Sequence, residues 1–96
     1  MVEKAKKIWL DGDFVDWDDA KVHLLTHTLH YGYGVFEGTR CYKLTRGGSA
    51  VFRLDDHLKR LYNSAKVLGI EIPFPYEVAR EASLETIRVN GFGEAY

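Results

Sequence analysis

The sequence predicts an α+β domain with two helices packed against an antiparallel sheet. Three observations lead there. Strand-like pieces joined by hairpin turns fill the first half of the chain, helix-period stripes fill the second, and the strands precede the helices rather than alternating with them.

The elements follow in order. Ile8 to Val15 (IWLDGDFV) holds two short apolar pieces around Asp11-Gly12, a two-residue hairpin signal. Asp16 to Asp19 is a polar turn with one aromatic. Ala20 to Tyr33 carries His23, His27 and His30 without a clear period. Val35 to Leu44 reads as a strand, Arg46 to Ser49 as a turn, and Ala50 to Arg53 as the returning strand. Asp55 and Asp56 then supply an N-cap and a favourable charge for a first helix. Its stripe is Leu58, Leu61, Tyr62, Ala65 and Leu68, with Gly69 as the C-terminal cap and Pro73 forbidding resumption. A second helix is predicted from about Tyr76 to Asn90, ended by Gly91, although its apolar residues fall on two sides.

Bulk properties bound the function. Ninety-six residues make one domain at most, and 46% hydrophobic with 14% aromatic content suits a folded core. Thirteen basic and fourteen acidic residues leave a charge of -1, which gives no electrostatic case for nucleic acid or an anionic membrane. Cys41 is the single cysteine, so no intrachain disulfide forms and a reducing compartment is favoured. The basic start, Met1 to Lys7, meets Asp11 too soon for a signal peptide, and no run approaches transmembrane length. A soluble, cytoplasmic chain is expected.

The stretch LHYGYGVFEGTRCY, Leu29 to Tyr42, carries the chemistry. Strand side chains alternate, so Phe36, Gly38, Arg40 and Tyr42 share one face and Val35, Glu37, Thr39 and Cys41 the other. The first face combines an aromatic wall, a gap at Gly38 and a charged fork at Arg40. Strand glycines often mark close approach of a ligand, and a buried arginine needs an anion, so the face resembles the wall of an anion-accepting pocket. The same pattern also fits Arg40 paired with a carboxylate at a sheet edge.

On the first helix His57, Arg60 and Ser64 fall at i, i+3 and i+7 and border the apolar stripe. A guanidinium there suits bidentate phosphate binding, although a lone helical arginine is usually plain surface. The spacings of His23, His27 and His30 could gather three imidazoles on one helical face. No acidic or cysteine ligand accompanies them, so hydrogen bonding in a packed region is the favoured reading and no metal is expected. None of the seven lysines has the apolar setting that depresses a lysine pKa.

Together HYGYGVFEGTRCY and VFRLDDHLKRLYNSAKVLGI resemble the N-terminal domain of the branched-chain amino acid aminotransferases, pyridoxal-phosphate enzymes of fold type IV. The likeness also takes in DAKVH at Asp19 to His23 and GEAY at the end. It implies that Arg60 binds the cofactor phosphate and that Phe36, Gly38, Arg40 and Tyr96 line the substrate pocket, with Tyr31 reaching into the partner subunit's pocket of a dimer. It also implies that residues 1–96 are the small domain. The lysine that bonds to pyridoxal 5'-phosphate then belongs to a second, C-terminal domain absent from this chain, so no catalytic residue is expected here and the piece alone is expected to be inactive. The implied activity is amino-group transfer between branched-chain L-amino acids and 2-oxoglutarate. Two other readings stand beside it: a free-standing α+β binding module, and another fold-type IV member such as a D-amino acid aminotransferase or aminodeoxychorismate lyase.

Overall fold

A computed structural model describes residues 3–96; Met1 and Val2, the first residues of the basic start, lie outside the described residues. β1 (Lys7–Leu10) and β2 (Asp13–Asp16) form an antiparallel hairpin in the register Ile8↔Val15 and Trp9↔Phe14. Asp11 and Gly12 link them with φ of 52° and 100°, the positive values a primed two-residue turn demands of both central residues. Gly12 has a second reason to lack a side chain, because a Cβ there would come within 3.2 Å of the Phe74 ring. That ring packs edge-on against Trp9, with centroids 5.0 Å apart. A 3-10 turn over Trp17–Asp19 follows.

Residues 21–34 are exposed and contain one short helix, α1 (His27–Tyr31). The region with three histidines is therefore not packed, contrary to the expectation from its interleaved leucines.

β3 (Cys41–Lys43) and β4 (Ser49–Val51) form a second antiparallel hairpin, paired Cys41↔Val51 and Lys43↔Ser49. The strand expected over Val35–Leu44 is thus regular only at its end, and two separate two-stranded sheets stand where one sheet was expected. The cause is the shortness of β4. The Phe52 amide still donates to the Arg40 carbonyl at 2.8 Å, but the chain then enters a helix, and residues 35–39 gain no ladder partner from that side. The expected alternation nevertheless persists: Val35, Glu37, Thr39 and Cys41 are at least partly buried, while Phe36, Gly38, Arg40 and Tyr42 are exposed. On its other edge Cys41 exchanges both backbone hydrogen bonds with Ala95, at 2.8 and 3.2 Å.

α2 (Leu54–Val67) begins one residue before the two aspartates. Arg53 rather than an aspartate is the N-cap, in left-handed backbone, and its Nε donates to Asp56 at 2.7 Å. Asp55 and Asp56 keep the expected role of negative charge in the first turn. α3 (Tyr76–Asn90) packs against both α2 and β1. Both helices end alike. Ile70 N–H reaches the Ala65 carbonyl and Gly69 N–H that of Lys66, and Phe92 and Gly91 repeat this with Ile87 and Arg88. This paired closure satisfies carbonyls the helix itself leaves open.

Tyr76 hydroxyl and Arg80 Nε both donate to Asp55, the arginine at 2.9 Å, which ties the start of α3 to the start of α2. Among the described residues the buried apolar set is small: Cys41, Leu54, Leu58 and Ala65. Between Trp9, Leu58, Leu61, Ala82, Ile87 and Tyr96 lies an open cavity of about 510 Å³. No helix among the described residues is long and apolar enough to cross a membrane.

Candidate functional site

One turn of α2 separates His57 from Arg60, so both side chains leave the same helix face. The extended segment before β3 crosses that face and aims Glu37 at it. Arg60 Nε donates to Glu37 Oε2 and Arg60 Nη2 to Oε1, each at 2.7 Å, while His57 Nδ1 meets Oε1 at 2.7 Å. An ionised carboxylate only accepts, so Nδ1 carries the hydrogen. The Glu37 side chain is only 12% exposed, against 67% for Arg60. The Arg60 fork, and then His57, hold the Glu37 carboxyl down at about 2, and Glu37 in turn raises the Arg60 guanidinium. Ser64, expected along the same face, is not among the partners of Glu37.

The outward face of the segment carries a second group. The Arg40 guanidinium carbon lies 4.9 Å from the centre of the Tyr96 ring, a cation–π distance. The Tyr96 hydroxyl sits over Gly38, where a Cβ would come within 2.5 Å of it. The gap expected at Gly38 is thus filled by Tyr96. Gly38, Arg40 and Tyr96 are brought together from distant parts of the chain because Ala95 pairs with Cys41. Phe36 leaves the segment on the same side by alternation and is 91% exposed. Tyr31 stands on α1, where its aromatic neighbours are His27 and His30 rather than this group.

Two histidines of the exposed region serve the backbone locally. His23 Nδ1 accepts from Leu25 N–H at 2.9 Å, and His30 Nε2 donates to the Leu24 carbonyl at 2.8 Å. Among the described residues no three His, Cys, Asp or Glu side chains gather as metal ligands would.

Sequence reasoning missed Glu37. The signal was present: a carboxylate alternating with Val35, Thr39 and Cys41 on an inward face needs a cation, and Arg60 with His57 supplies one.

Residues 34–96 match the family model of amino-transferase class IV. The chain belongs to that family. It is 46% identical over its whole length to the branched-chain-amino-acid aminotransferase of Pseudomonas aeruginosa, covering 31% of that protein. A putative branched-chain-amino-acid aminotransferase of Methanocaldococcus jannaschii is 50% identical over 90 residues, 94% of this chain and 30% of that one. Among solved structures, the branched-chain amino acid aminotransferase of Escherichia coli superposes with a TM-score of 0.93 at 44% identity, over 97% of this chain and 30% of that one. A T.th. branched-chain amino acid aminotransferase with pyridoxamine 5'-phosphate gives a TM-score of 0.91 at 52% identity, over 95% and 30%. The chain therefore spans about 30% of the length of the relatives it matches.

Proposed function

We propose that this chain is the small domain of a branched-chain amino acid aminotransferase that moves amino groups between branched-chain L-amino acids and 2-oxoglutarate with pyridoxal 5'-phosphate. The observation that supports it is the superposition of nearly the whole chain, at a TM-score above 0.9, on enzymes of that name, one of them solved with pyridoxamine 5'-phosphate. The residues present fit the cofactor's phosphate. Among the described residues Arg60 Nη1 has no protein partner, on a side chain largely open to solvent, and a guanidinium matches phosphate oxygens in pairs.

In this reading Arg60 holds the phosphate, and Phe36, Gly38, Arg40 and Tyr96 form the wall facing the substrate. Phe36 offers apolar surface to a branched side chain, and the Tyr96 ring holds the Arg40 charge in place. Tyr31, exposed on α1, reaches the pocket of a second subunit in a cytoplasmic homodimer. The cofactor, when bound, supplies the electron sink that lets an amino group change carriers. Its lysine partner belongs to a further domain, and the 96 residues alone have no transaminase activity.

A hybrid tests this: the chain replaces the matching 30% of the Escherichia coli enzyme. Leucine-dependent formation of glutamate from 2-oxoglutarate is expected from the hybrid and not from the chain alone. A folded hybrid that binds cofactor yet transfers no amino group from leucine, isoleucine or valine would refute the substrate assignment.

A further inference from the structure

Arg60 meets Glu37 through one edge only. A guanidinium presents two forks to a planar or tetrahedral anion, Nε with Nη2 at its side and Nη1 with Nη2 at its end. Glu37 takes the side fork, at 2.7 Å on both arms. The end fork is left outward, on a side chain 67% exposed. Behind this pair, His57 donates to the oxygen that Nη2 also contacts, and Glu37 itself is nearly enclosed. The charged head of a long, rotamer-rich side chain is thus anchored before any ligand arrives.

We propose that Glu37 is a positioning residue: held by His57, it fixes Arg60 so that the end fork forms a preassembled phosphate clasp. The inference rests on the reading of Arg60 as the phosphate ligand and adds to it a role for a residue that touches no ligand. Two opposite effects compete. A carboxylate beside Arg60 weakens the pull of its charge on an anion, so by electrostatics alone removing Glu37 would tighten phosphate binding. Ordering the guanidinium lowers the entropy lost when the anion binds, so by preorganisation removing Glu37 would loosen it. The second effect is the larger, because the Arg60 head, on a side chain 67% exposed, meets the anion in solvent that screens the Glu37 charge behind it, whereas an unfixed arginine must be ordered at each binding event.

The test uses the full chain labelled for detection of arginine Nε–H by nuclear magnetic resonance. Inorganic phosphate and pyridoxamine 5'-phosphate are titrated in, with pyridoxamine as the control that lacks phosphate. Both phosphates are expected to shift the Arg60 signal saturably and pyridoxamine is not. Glu37→Gln, which retains size but cannot accept both arms as an anion, is expected to weaken phosphate binding about fivefold or more. In an Arg60→Lys background, which lacks the fork, the same change is expected to have little effect.

Unchanged or tighter phosphate binding in Glu37→Gln would overturn the positioning role while leaving Arg60 as the ligand. An Arg60 signal indifferent to phosphate in the unaltered chain would overturn both. Should Glu37→Gln fail to fold, the unaltered chain still decides: the Arg60 Nε–H is expected to exchange with water more slowly than that of Arg46 in the β3–β4 turn, and equal rates would refute the fixing.

Discussion

Asn90 grips the backbone of Lys7 from both directions: its side-chain oxygen accepts the Lys7 N–H at 2.9 Å and its nitrogen donates to the Lys7 carbonyl at 3.0 Å. The same oxygen accepts Lys6 N–H at 2.7 Å, and the nitrogen also donates to Thr86. One buried amide at the end of α3 therefore stands in for a neighbouring strand along β1.

Asn90→Ala strands the backbone groups of Lys6 and Lys7 that this amide serves. Leaving partly buried backbone groups unpaired is costly, and the variant is expected to lose about 1–3 kcal/mol in denaturant unfolding. A loss no greater than that of an exposed helix residue such as Glu81 would show that water replaces the amide freely.

The folded-state carboxyl of Glu37 titrates at about 2, below the ordinary 4.5. A depressed carboxyl contributes stability fully above its unfolded value, and that contribution fades as pH falls from about 4.5 toward 2. The stability gap between the unaltered chain and Glu37→Gln is accordingly expected to be widest at neutral pH and to close across that window. Asp55, also held low by Tyr76 and Arg80, titrates in both proteins and cancels in the comparison. A gap independent of pH would mean that the carboxylate is not ionised against Arg60.

Much of this architecture was legible in local chemistry. The Asp11-Gly12 turn, the α2 stripe and the glycines that end both helices are short-range signals, each set by residues a few positions apart. The alternation of faces from Val35 to Tyr42 was equally local and survived even where the strand did not form. What escaped was long-range. Pairing of Cys41 with Ala95, which brings Tyr96 over Gly38, joins residues far apart along the chain, and nothing in either neighbourhood announces it. Glu37 and Asn90 were overlooked for the same reason: each is polar for a partner supplied by another element.

Gly38 does not sit in left-handed backbone, so its need for glycine comes from contact rather than conformation. Gly38→Val drives the Tyr96 hydroxyl away and separates that ring from Arg40. The expected result is loss of the proximity signal between Tyr96 ring protons and the Arg40 side chain, with little change in unfolding stability because the site is exposed. In the hybrid enzyme, turnover of leucine is expected to fall more than cofactor affinity. Intact Arg40–Tyr96 proximity in the variant would contradict the packing described.

Arg60→Ala removes the guanidinium proposed to hold the phosphate and leaves Glu37 with His57 alone. Cofactor affinity of the hybrid is expected to drop about tenfold or more, since charge-assisted hydrogen bonds are among the stronger polar contacts. Absorbance titration reads the affinity directly. An unchanged dissociation constant would remove Arg60 from the site.

The last expectation concerns the exposed face. Leu24, Leu25, Leu29 and Tyr31 on residues 21–34, with Phe36 beyond them, are each more than half exposed, an unusual density of large apolar side chains for an isolated surface. Two short hairpins also leave unpaired edges. Covering these leucines against a second copy removes apolar surface from water, which favours association without any directional bond. Sedimentation of the chain is therefore expected to show a dimer or larger species that dissociates on dilution. Replacing the exposed Leu25 and Leu29 by lysine is expected to shift the equilibrium toward monomer without unfolding α2 and α3. A chain that remains monomeric at high concentration, or a double variant that associates as strongly as the unaltered one, would show that this face is not where copies meet.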